Sequence, residues 1–176
     1  MLTTAFVLTG CGSDEKKDND TAGTQPATEN AEDGAVGITA ADTTFIYNGI
    51  EIALDSKIDD AVAALGDAED VKSETSCHGE GEDKTYTYAD FLLKSYPKDG
   101  VDRVLDIIIT KAGVPTAKGI EVGSTLEEVT AAYGTEYNTI GPRYVYNAGE
   151  GKTLRFNIKD NTVNQIEYYF NVPVTK

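Results

Sequence analysis

A thiol, an imidazole and three carboxyls fall within the short run Cys77-His78-Gly79-Glu80-Gly81-Glu82-Asp83, the one crowded cluster of reactive side-chain types in the chain. A cysteine beside the chain's single histidine supplies a nucleophile and a general base, the two parts of a covalent mechanism. Side chains adjacent in sequence point apart, however, and neither an oxyanion-hole signature nor a third, orienting group accompanies the pair. His78 with Glu80, Glu82 or Asp83 has the donor chemistry of a metal site, but a glycine-punctuated acidic run has the composition of a solvated loop. The segment therefore reads as a loop, with no catalytic residue, metal or cofactor assigned. Cys77 is expected to be buried or idle, or else free for an intermolecular disulfide. An exported enzyme or metal-binding protein working at Cys77 and His78 is the alternative.

Composition narrows the classes further. The 176 residues carry 15 Lys+Arg against 30 Asp+Glu, a formal net charge of -15, and a field of that sign repels phosphate backbones. Nucleic acid is excluded as a partner. One His, two Cys and no Trp rule out a histidine-rich metal site, a disulfide framework and a two-histidine mechanism by count. Met1 to Gly10 is uncharged and apolar but too short to span a bilayer. It ends in Leu8-Thr9-Gly10-Cys11, which resembles the lipobox of bacterial lipoproteins, in which the cysteine thiol accepts diacylglycerol. A signal peptide opens on a Lys/Arg-bearing segment, and none precedes Cys11, so Met1 reads as an internal start. Residues 12–42 hold eight acidic residues against Lys16 and Lys17, with Val36 and Ile38 as the large apolar side chains, the composition of a disordered, self-repelling tether. The expected organisation is a truncated signal peptide over 1–10, a lipidated Cys11 and acidic tether over 11–42, and a folded part beyond. Anchoring places the protein on the extracytoplasmic face of the cell membrane, with the lipid bilayer as a partner through acylated Cys11.

The folded part contains two similar segments. Gly49-Ile50-Glu51-Ile52, Ser56-Lys57-Ile58-Asp59-Asp60 and Ala63-Ala64-Leu65-Gly66 match Gly119-Ile120-Glu121-Val122, Ser124-Thr125-Leu126-Glu127-Glu128 and Ala131-Ala132-Tyr133-Gly134. Ser56 with Asp59, and Ser124 with Glu127, have capping-box spacing; Gly66 and Gly134 supply helix ends. Ile58, Ala61, Val62 and Leu65 form one apolar stripe, and Leu126, Val129 and Tyr133 form another. Helices of about three turns do not persist alone in water, so each needs a sheet to lie on.

Strands are expected over Tyr86 to Tyr88, Phe91 to Tyr96 and Val101 to Thr110, then over Arg143 to Tyr146, Thr153 to Lys159 and Val163 to Val172. Asp99-Gly100, Glu150-Gly151 and Asp160-Asn161 are turn signals, and an opening hairpin turns at Asn48-Gly49. The fold class is α+β. Two tandem units, over 43–112 and 113–176, each lay a short helix on an antiparallel meander and leave the other sheet face open.

This pattern, most specifically Gly119-Ile120-Glu121-Val122-Gly123-Ser124-Thr125-Leu126-Glu127-Glu128-Val129 with Tyr133-Gly134, resembles the beta-lactamase-inhibitor-protein-like lipoproteins of Gram-positive bacteria. The resemblance covers residues 45–172 and implies a sheet surface that grips a protein partner, though it carries over no inhibitory loop. Ten Tyr and five Phe concentrate in the strands. Alternation puts both members of Tyr86/Tyr88, and of Tyr144/Tyr146, on one face; if that face is uncovered, the rings form an interface patch. The expected function is a non-catalytic, membrane-anchored module that binds a protein or cell-wall ligand through Tyr86, Tyr88, Tyr96, Tyr144, Tyr146 and Tyr169, rimmed by Arg143 and Arg155.

Overall fold

A computed structural model describes residues 37–173. The signal-like segment, Cys11 and the tether up to residue 36 lie outside the described residues. A short 3-10 turn, Ala40–Thr43, leads into the hairpin of β1 (Thr44–Tyr47) and β2 (Ile50–Ala53). Helix α1 (Ile58–Leu65) is followed by β3 (Asp70–Thr75), β4 (Glu82–Thr87), β5 (Phe91–Lys98) and β6 (Val101–Ile109). Helix α2 (Leu126–Tyr133) is followed by β7 (Asn138–Ile140), β8 (Arg143–Gly149), β9 (Lys152–Lys159) and β10 (Thr162–Phe170). The class is α+β, with two helices, one antiparallel sheet of eight strands and a separate two-stranded sheet.

The eight strands lie in the order β3-β4-β5-β6-β10-β9-β8-β7. The segments 43–112 and 113–176 thus share one continuous sheet, joined where β6 pairs with β10 through Ile109↔Ile166 and Ile107↔Tyr168. Asn48-Gly49, Asp99-Gly100, Glu150-Gly151 and Asp160-Asn161 all turn with both central residues at positive φ, the geometry whose twist matches that of the flanking strands. Gly151 is required there for a second reason: a Cβ would come within 2.9 Å of the Asn171 carbonyl oxygen.

The helix starts depart from expectation by one residue. α1 begins after Lys57 without a side-chain cap, and the Ser56 hydroxyl donates instead to the Ala53 carbonyl. In α2 the capping box is Thr125 with Glu128: the Glu128 amide donates to Thr125 Oγ1 at 3.2 Å, and the Thr125 amide donates to the Glu128 carboxylate at 2.7 Å. Ser124 is otherwise engaged, its hydroxyl accepting from the Glu121 amide and its carbonyl from Val163 of β10. Thr125→Ala is expected to cost about 1 kcal/mol, read as a lower midpoint in urea denaturation, whereas Ser124→Ala costs less. The reverse order would return the cap to Ser124.

The core lies on one face of the sheet. Phe91, Leu93, Ile107, Ile109, Leu154, Phe156, Ile166 and Tyr168 line that face and are buried. Tyr133 of α2 packs on Tyr146 and Phe156 at centroid distances of 5.6 and 5.3 Å. Phe45 of β1 closes the other end against Phe91 at 4.9 Å and Tyr168 at 5.6 Å. Each fully buried large side chain of this kind stabilises the fold by about 1.5–3 kcal/mol. Among the described residues, the opposite face carries neither helix nor hairpin.

Candidate functional site: the helix-free sheet face

Alternation assigns the residues of the helix-free face. One row across the strands is Thr85, Lys94, Asp106, Tyr169 and Thr153; the next is Thr87, Leu92, Ile108, Glu167, Arg155 and Val145. Where the rows cross β6, β10 and β9, the centre is ionic. Arg155 lies directly across from Glu167, with its guanidinium 3.4 Å from the carboxylate and 3.7 Å from the centre of the Tyr169 ring. Its Nε donates to Thr153 Oγ1 at 3.1 Å, and a terminal nitrogen reaches the Asn171 side chain at 3.4 Å. Arg155 is thus held flat on the sheet, its ring contact adding cation–π attraction.

Asp106 and Glu167 are buried at 4% and 7% exposure although, among the described residues, no helix covers them. Long side chains of the same face stand beside them, Arg155 at Glu167 and Lys94 and Tyr169 across from Asp106. Asp106 lies opposite both Lys94 and Tyr169, and its Oδ1 has no hydrogen-bond partner. Burial, then the charge of Glu167, pushes the Asp106 carboxyl up to about 8, against the opposing pull of Lys94 and Arg155. At neutral pH the pair therefore holds one proton between two acids. Beside it, a groove of about 540 Å³ runs between Lys72, Ser73, Glu74, Thr85, Leu92 and Lys94. At the β7 end, Ile140 is 61% exposed and lies opposite Arg143 on the same face.

The sequence-predicted residues divide between the two faces. Arg143, Arg155 and Tyr169 belong to the helix-free face. The expectation is corrected for both Tyr-x-Tyr pairs, which share a face but sit on the covered one. Tyr146 is 0% exposed, its hydroxyl donating to the Gly134 carbonyl at 2.9 Å, and burial among other tyrosines pushes that hydroxyl up to about 12. Tyr144 packs on Tyr137 at 4.8 Å, and Tyr86 lies beside the core opposite Leu93. Tyr88 stacks on Phe91 and reaches the Gly66 carbonyl at the end of α1. Tyr96 is fully buried and donates to Asp55 at 2.5 Å. The physical reason is that packing a ring against the core is more favourable than exposing it, and the hydroxyls of Tyr88, Tyr96 and Tyr146 find a carbonyl or carboxylate at the layer's edge.

Asp106, Glu167 and Lys94 were missed by sequence reasoning. Their signal is a lone charge inside an apolar strand: Val104-Leu105-Asp106-Ile107-Ile108-Ile109 and Ile166-Glu167-Tyr168-Tyr169-Phe170 each contain one acid that period-two alternation sends away from the core.

The loop between β3 and β4 differs from its expected form. Cys77 is exposed, not buried, and its side chain does not splay from that of His78: Sγ lies 3.8 Å from His78 Nδ1. The same nitrogen is 3.1 Å from Asp83 Oδ2. The loop also borders a cavity of about 510 Å³, lined by His78, Glu80 and Tyr96 together with Pro97 and Pro173.

These features define an α+β protein with a single wide sheet, packed on one side and bearing a polar, ring-stacked centre on the other. No protein-family profile, curated protein or solved structure matches the chain.

Proposed function

We propose that the protein is a non-catalytic binding module that recognises a protein or cell-wall ligand through its helix-free sheet face. The observation that carries this reading is the centre of that face, where Arg155, its side chain 13% exposed, and the partly buried Tyr169 stack on one another beside a buried acid pair, with a groove alongside. Arginine and tyrosine held rigid by their own neighbours lose little entropy on docking and supply both area and hydrogen bonds. Ile140, Leu92 and Ile108 add apolar surface around them, and Arg143 adds charge. Of the covered-face tyrosines, Tyr96 and Tyr146 are fully buried and act through packing, and Tyr86, Tyr88 and Tyr144 are partly buried against the core.

The chain is further read as two tandem units. Support comes from equivalent joints: the Ser56 carbonyl accepts from Val104 and the Ser124 carbonyl from Val163, while Asp55 and Gly123 donate back to the same two residues. Lys57 bridges Arg103, and Thr125 bridges Thr162, in the same way. This arrangement and the motif over 119–134 favour kinship with the beta-lactamase-inhibitor-protein-like lipoproteins. Acylation of Cys11 and a polar tether would hold the module on the outer surface of a Gram-positive membrane. No helix among the described residues is long and apolar enough to cross a membrane.

The test compares pull-downs from envelope extracts using the wild type, an Arg155→Ala, Tyr169→Ala double variant and, on the opposite side of the molecule, Glu51→Ala. The face variant is expected to lose its partner with a rise in Kd of about thirtyfold or more, and the control to keep it. Equal recovery by all three, with thermal melts showing each folded, would count against the reading.

A further inference from the structure

We infer that Cys77, His78 and Asp83 form a three-donor site for a borderline-soft divalent cation of the Zn²⁺ class. The three donor atoms lie within 4.8 Å of one another, and His78 among them also lines the neighbouring cavity. Tetrahedral Zn²⁺ with ordinary bond lengths needs a sulfur-to-nitrogen edge of about 3.6 Å and a nitrogen-to-oxygen edge of about 3.4 Å. The corresponding separations are 3.8 Å for Cys77 Sγ to His78 Nδ1 and 3.1 Å for His78 Nδ1 to Asp83 Oδ2. Two edges of the coordination polyhedron are therefore within a few tenths of an ångström of their final lengths.

The donors are also held in place. Asp83 stands in β4, opposite Glu74. The His78 amide donates to Ser76 Oγ at 3.0 Å, the Ser76 amide donates to the Gly81 carbonyl at 3.1 Å, and the His78 ring meets the edge of Tyr96 at 5.8 Å. Gly79 and Gly81 press the loop onto Pro97 so closely that a Cβ on Gly79 would fall 2.9 Å from the Pro97 carbonyl oxygen. The second Asp83 oxygen, Oδ1, is buried without a hydrogen-bond partner, so the carboxylate has acceptor capacity that the protein leaves unused. A thiolate and a carboxylate neutralise a divalent charge, and thiolate with imidazole selects zinc-like cations over Mg²⁺ or Ca²⁺. Three protein donors leave the fourth position to a donor from outside, which reaches the site at the exposed Cys77.

The site is tested by titrating the reduced full chain with Co²⁺, whose thiolate complexes absorb strongly in the near ultraviolet, and then displacing it with Zn²⁺. The expected result is one charge-transfer band that saturates at one metal per chain, is lost in Cys77→Ser and persists in Cys11→Ser. Asp83→Asn is expected to weaken Zn²⁺ binding about tenfold or more. Absence of the band, its survival in Cys77→Ser, or its loss in Cys11→Ser would overturn the assignment.

Discussion

Tyr146→Ala is expected to destabilise the protein by about 3–5 kcal/mol, the cost of deleting an aromatic side chain from a packed core. The ring lies against Tyr133, Tyr137 and Phe156, at centroid distances of 5.6, 5.6 and 5.8 Å, and is closed off from water. Truncation would open a cavity under α2 and orphan the Gly134 carbonyl that the hydroxyl now satisfies. Tyr146→Phe separates the two contributions: it keeps the ring, removes one buried hydrogen bond and should cost about 1–3 kcal/mol. Denaturant titrations of the wild type and both variants make the comparison. A ring presented to solvent would give changes within about 0.5 kcal/mol for either variant, so values of that size would return Tyr146 to the ligand-binding surface and undo the packing described here.

Asp106→Asn should abolish a pH dependence that the wild type carries through the neutral range. The folded protein keeps the Asp106 proton up to about pH 8, whereas an unfolded aspartate releases it near its ordinary value of about 3.9. Between those limits the native state binds more protons than the unfolded chain, so stability falls as pH rises. The slope from this group is at most about 1.4 kcal/mol per pH unit, and its contribution is complete below about pH 4 and lost above about pH 8. Asparagine reproduces the neutral acid in shape and cannot ionise, which removes the slope and leaves the variant the more stable of the two at pH 8. Chemical denaturation at pH 5, 6, 7 and 8 provides the measurement. Parallel curves for the two proteins would mean that Asp106 is charged in the fold and that the acid pair holds no proton. Glu167→Gln adds an independent check, since removing the second charge lets Asp106 ionise at lower pH and shifts the slope downward.

Both results bear on the proposed interface, because they separate what the two sides of one sheet do. On the packed side aromatic rings hold the helices; on the other, charge is buried beside Arg155 and Tyr169. A ligand meeting that second surface encounters a rigid centre whose charge depends on pH.

The local signals were legible where chemistry is local. The four two-residue turns, the helix-ending Gly66 and Gly134, and the alternation of Leu154, Phe156 and Ile158 against Arg155, Asn157 and Lys159 all follow from neighbouring residues. β3 and β7 escaped notice because all their residues are exposed, so no apolar alternation marks them; main-chain pairing to β4 and β8 alone makes them strands. The one-residue displacement of the helix starts has a similar source, since Ser56 and Ser124 give their carbonyls to distant strands.

By itself, then, the sequence determined the class of the fold, the turn positions, and the fact that each Tyr-x-Tyr pair shares a side. Which side is covered was decided by the tertiary structure, because alternation is symmetric between two faces until a helix lies on one of them. The pairing of β6 with β10 and the meeting of Asp106 with Glu167 across it were likewise decided there. Contacts between residues some sixty positions apart leave no local pattern; they arise when burial selects one register for the whole sheet.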